Sequence, residues 1–226
     1  MFDSIQRFAC GPVPRRRHFC HLLLGALLAG DSLWAMPAPS STAALAEFAR
    51  ARAGDEAAIA DSVRSFSALL QAQPTHPVWL AYAGAATAMQ ATTTWLPWKK
   101  LAFAEEGLTL LDKALALLRG QASAVRSAPD LPVDLEVRLV AASTFLAVPG
   151  FMNRTERGTR LLSELLASPA MPAAPLAFRG DVWLLAASQA QRQQRPDEAR
   201  RYLQQTIAAG APQAALARTR LSGLAS

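Results

Sequence analysis

Few residues of this chain have the types and spacing for chemistry. Trp95-Leu96-Pro97-Trp98-Lys99-Lys100 sets two indole rings around a proline and follows them with two ammonium groups. A second segment, Val148 to Gly158, adds Phe151, Met152, Arg154 and Arg157. Aromatic and thioether side chains with a cationic rim suit a partner segment that is apolar or acidic. A plainer reading is a satellite hydrophobic cluster that closes two long corners. Glu105, Glu106 and Asp112 could pair as acid and base, although carboxylates at this helical spacing are mostly solvated or ion-paired. Arg160 stands four residues from both Glu156 and Glu164, which predicts helix-supporting ion pairs. The sequence has no glycine-rich phosphate loop, no nucleophile elbow and no zinc-helix motif.

Histidine and cysteine narrow the chemistry further. His18 and His21 lie near the N-terminus, so the rest of the chain has only His76. That residue sits in Pro74-Thr75-His76-Pro77, which reads as a helix-start corner with a structural role. Both cysteines, Cys10 and Cys20, also lie near the N-terminus. The remainder can form no disulfide, thiolate metal site or cysteine nucleophile. No catalytic residue, metal site or cofactor is expected, and the chain reads as a non-enzyme.

Residues 1–35 read as a leader rather than as fold. Arg15-Arg16-Arg17 precede an apolar run from Leu22 to Ala29, far short of the roughly 20 residues that span a bilayer. Positive charge ahead of a short apolar run is the layout of a secretory signal, with cleavage expected near Ala35. Arg16-Arg17-His18-Phe19 resembles a twin-arginine signal, departing from it at Cys20 and His21. The resemblance implies a periplasmic or secreted protein with no transmembrane span after cleavage. No cysteine ends the apolar run, so a lipoprotein anchor is not expected.

The elements that must carry the corner residues are helical. Alanine, leucine and arginine dominate, and the 226-residue chain is 51% apolar, which excludes disorder and permits a substantial core. The formal net charge is +6, of which the leader holds four arginines and two aspartates. No dense basic run with interleaved aromatics occurs, so a nucleic-acid partner is not expected. A linker at 36–42 precedes helices expected near 43–53, 55–73, 77–92, 98–118, 133–147, 154–167, 176–193, 196–209 and 213–222. Glycines and prolines punctuate them, Gly120 to Pro132 is expected as the longest loop, and Asn153 with Glu156 has capping-box spacing.

The helices fall into pairs. A small residue followed by large and medium ones at four-then-three spacing recurs at Ser62-Phe66-Leu69, Gly107-Leu111-Ala114, Gly158-Leu162-Leu165 and Ala199-Leu203-Thr206. The order Trp183, Ala186, Ala187, Ala190, Ala199, Leu203, Pro212 resembles a tetratricopeptide repeat, and PVWLAYAGAATAMQ is similar to its first half. The resemblance covers about 43–213. It departs from the family in having Gly107, Gly158 and Ala187 at small positions, and in steps longer than about 34 residues.

This resemblance implies an all-α fold. Antiparallel pairs would stack as a right-handed solenoid over 43–226, with about eight helices and a short capping helix. The extra residues fall in the WLPWKK and VPGFMNRTERG turns, which would share one edge of the stack. Trp95, Trp98, Lys99, Lys100, Phe151, Met152, Arg154 and Arg157 are thus the candidate partner-binding set. The function expected is a protein-binding scaffold or adaptor in the cell envelope. The alternatives are a periplasmic carrier of a small apolar ligand and, behind it, an enzyme using acidic residues.

Overall fold

The computed structural model describes residues 40–119, 126–128 and 131–224. Local chemistry sets most element boundaries among them. α1 (Ser41–Arg52) starts where the Ser40 hydroxyl accepts the Ala43 N–H at 3.2 Å. Gly54, at φ +101°, takes the left-handed turn conformation that costs a glycine nothing. Asp55 caps α2 (Glu56–Ala72) by accepting the Ala58 N–H at 3.2 Å. α3 (Pro77–Met89) and α4 (Pro97–Leu118) each open on a proline, whose missing N–H has no partner to lose in a first turn. α5 (Val133–Ala147), α6 (Thr155–Leu166), α7 (Leu176–Arg192), α8 (Pro196–Ala208) and α9 (Ala214–Gly223) complete the helices.

Three local expectations change. The loop before α5 carries a short antiparallel ladder, β1 (Arg126–Ala128) with β2 (Leu131–Pro132). The last turn expected of α3 tightens into a 3₁₀ turn, Gln90–Thr92. The Asn153–Glu156 capping box does not form. Asn153 adopts φ +55° and closes a 3₁₀ turn at Gly150–Met152, leaving Arg154 at the N-cap with no side-chain cap bond. Asparagine tolerates the left-handed region well, so the turn uses it there.

Packing follows chain order. Each α-helix meets the next one, and α3 also packs on α1 and α5, as α5 does on α7. The four-then-three positions all turn inward. Phe66, Leu111, Leu162, Leu165, Leu203 and Thr206 are buried, and Leu69 packs partly buried against the same core. Glycine allows the closest approach. A Cβ on Gly107 would lie 2.4 Å from the Gly84 carbonyl oxygen and 2.6 Å from the Ala88 nitrogen, so α3 and α4 meet backbone to backbone.

At Gly158 a Cβ would lie 2.9 Å from Leu146 Cγ, where α6 crosses α5. An aromatic cluster joins α1, α2 and α3. Phe66 stacks on Tyr82 at 5.2 Å, and Phe48 meets Tyr82 edge-on at 4.9 Å. A smaller cluster of Leu184, Ala187, Leu203 and Ala217 holds α7, α8 and α9.

Candidate functional site

The α3–α4 corner is built to project. Thr94 Oγ1 accepts the Leu96 N–H at 3.3 Å, which sets the turn just before Pro97 starts α4. Trp95 is 83% exposed and Trp98 is 66% exposed. Leu101, one helical turn after Trp98, is 42% exposed. Lys99 and Lys100 are exposed, and neither makes an ion pair among the described residues.

At the α5–α6 corner, the 3₁₀ turn lifts Phe151 into solvent at 72% exposure, while Met152 packs half-buried against the core. Four of the five large exposed hydrophobics among the described residues lie in these two corners; the fifth is Leu216 of α9. No buried cluster among the described residues contains Trp95, Trp98 or Phe151.

Arg154 and Arg157 face inward. Both guanidinium groups bind the Asp112 carboxylate of α4, Arg154 at 3.0 Å. Both also lie over the Phe145 ring, 5.5 and 5.2 Å from its centroid. This clasp ties the corner that bears Phe151 to α4, the helix whose first turn carries Trp98. Lys99 and Lys100 are then the free cations of the candidate set, and Asp112 is committed to ion pairs. Glu105 and Glu106 face solvent. Glu164 pairs with Asp134's partner, Arg138 of α5, at 3.8 Å instead of with Arg160.

The turns after α1, α3 and α5 border one groove of about 550 Å³. Its wall includes Gly54, Met89, Thr92, Val148 and Pro149, and its floor is mostly small apolar side chains such as Ala85, Ala88 and Ala104. Thr92 is three residues from Trp95, and Pro149 is two from Phe151, so each exposed aromatic corner begins at this groove.

A second groove, of about 500 Å³, runs along α1, α3, α5, α7 and α9. Within it the Tyr82 hydroxyl donates to Glu136 Oε1 at 2.8 Å. Burial, reinforced by the Glu136 charge, pushes the Tyr82 phenol far up, so it stays protonated. Burial also raises Asp181, against the opposing pull of Arg52 and the Gln213 amide, which donates to Asp181 Oδ1 at 3.1 Å. Arg220 donates to Ser188 Oγ at 2.9 Å. These groups can hydrogen-bond a polar chain laid along the groove. Sequence reasoning missed them because Tyr82, Glu136 and Asp181 converge from three helices with no local motif.

His76 caps α3, with Nδ1 accepting the Trp79 N–H at 3.4 Å and its ring stacked on Trp79 at 4.7 Å. Burial lowers its pKa. No group of three or more His, Cys, Asp or Glu able to hold a metal occurs among the described residues. No helix among them is long and apolar enough to cross a membrane. Residues 1–35, where the sequence suggested a leader, lie outside the described residues. The chain matches no protein-family model, no curated protein and no solved structure.

Proposed function

We propose that the chain is an exported, non-catalytic helical-repeat scaffold that binds a segment of a partner protein in the cell envelope. Its helix pairs stack as a right-handed, tetratricopeptide-like solenoid, and the partner sits on the edge formed by the α3–α4 and α5–α6 corners. The observation that carries this reading is the exposure of Trp95, Trp98 and Phe151 beside one apolar groove. Each such ring left in water forgoes a few kcal/mol of burial, so their exposure in turns that border one groove supports a contact surface. Lys99 and Lys100 add a cationic border that favours an acidic partner segment. Packing of each helix on its chain neighbours, with α1, α3, α5 and α7 meeting in order, supports the repeat stack.

Affinity capture from an envelope extract tests this with residues 36–226 and the Trp95→Ser/Trp98→Ser variant. The variant should keep the parent's melting temperature and lose its partner. A captured set that is identical for the two proteins would exclude the corner as the binding edge. The carrier reading rests on the alanine-floored groove, whose volume lies within the range of small-ligand sites. Saturable binding of a naphthylamine dye that Ala88→Leu abolishes would favour it, and absence of saturation would dismiss it.

A further inference from the structure

Away from both grooves, a cleft of about 410 Å³ opens between the end of α4, α5 and α6. Arg119, Arg138, Arg157 and Arg160 line it, with Glu164 the one carboxylate among the described residues of its wall. We propose that this cleft is a binding site for a phosphate-type anion.

The four guanidinium groups differ in their commitments. Arg138 is steadied by Asp134 at 3.4 Å and by Glu164 at 3.8 Å, and remains only 31% exposed. Arg157 is held by Asp112 and is 30% exposed. These two arginines are positioned in advance. Arg119 and Arg160 make no ion pair among the described residues. Glu156, one turn before Arg160, makes none either. Counting Arg154, which shares Asp112, and Glu156, five arginines meet four carboxylates here among the described residues, so positive charge is still left over.

The arrangement selects the class of anion. Arginine presents planar forks of donors that match oxyanions, and it loses less than lysine when partly desolvated. The forks arrive from three helices, hence from several directions. A tetrahedral phosphate offers oxygens to all of them, whereas a carboxylate offers two oxygens in one plane. Leu115, Leu118 and Leu161 supply an apolar wall beside the charge. The phosphate can therefore be free or the headgroup of a lipid whose chain lies on that wall.

Titration calorimetry of residues 36–226 at low salt tests the site with inorganic phosphate, with short-chain phosphatidic acid, and with citrate as a carboxylate control. Phosphate should bind saturably, and Arg119→Gln/Arg160→Gln should weaken it at least about tenfold. Arg218→Gln removes an exposed charge far along the chain and should leave binding unchanged. Arg160→Lys keeps the charge but not the fork; it should weaken phosphate binding if the geometry is used. Tighter binding of phosphatidic acid than of phosphate, reduced by Leu118→Ala, would assign the lipid source, and equal binding would assign the free anion. The proposal is overturned if phosphate gives no saturable heat, if citrate binds better than phosphate, or if the Arg119/Arg160 variant binds as the parent does.

Discussion

At the scale of single residues, exposure and protonation separate side chains that look alike in sequence. Trp79 and Trp98 are both tryptophans at the start of a helix, yet Trp79 stacks on His76 and packs on the core, while Trp98 projects into solvent. His76 does its capping as the neutral ring, because only an unprotonated Nδ1 can accept the Trp79 N–H. Burial places its folded pKa below the usual 6.5. The unfolded chain therefore takes up the proton first on acidification. Stability from this group is full above that value and is lost as pH falls through it toward the folded pKa. His76→Asn keeps a cap acceptor that does not titrate. Denaturant melts of the two proteins should differ in pH dependence between neutrality and mild acid, with the parent losing more. Parallel curves would show that His76 protonation does not couple to folding.

At the scale of elements, the small positions of α3, α4 and α6 decide how closely helices meet. Gly107→Ala improves helix propensity by about 1 kcal/mol in isolation. In place, its Cβ would meet backbone atoms at 2.4 and 2.6 Å, and backbone cannot step aside as a side chain can. The net effect should be a loss of about 1–3 kcal/mol, as in overpacked cores. Gly150→Ala is the control, because a Cβ there meets nothing within 4 Å. It should be neutral or stabilising by up to about 1 kcal/mol. Urea denaturation of both variants checks the pair, and equal effects would mean that the α3–α4 crossing relaxes freely.

At the scale of the molecule, α7, α8 and α9 share a cluster separate from the main core. A chain whose helices pack mainly on sequence neighbours can open locally at one end. Leu203 is fully buried in that cluster. Leu203→Ala should cost about 2–5 kcal/mol. Amide exchange should then rise across α8 and α9 and remain near the parent's rate in α3 and α5. A uniform rise over all helices would show one cooperative unit instead.

Helix type and boundaries were legible because their causes are local. Prolines at 77, 97 and 196, Gly54, Gly210 and Asp55 act within a turn of their own position, and the observed helices start and stop there. The four-then-three spacing likewise identified buried faces, since 3.6 residues per turn puts those positions on one stripe. Asn153 was misread because an N-cap and a left-handed turn residue favour the same side chain. The corner residues stood out in the sequence by type, but their burial and charge pairing did not. Whether Arg157 borders a patch or clasps Asp112 depends on a partner more than forty residues away in the chain, and the exposure of Trp98 depends on which helices pack around α4. The same holds for the Tyr82–Glu136 bond and the four-arginine cleft, which exist only where separate helices converge. A chain encodes its local conformations in neighbouring residues, but burial and charge pairing depend on which surfaces meet, and only the tertiary packing decided that.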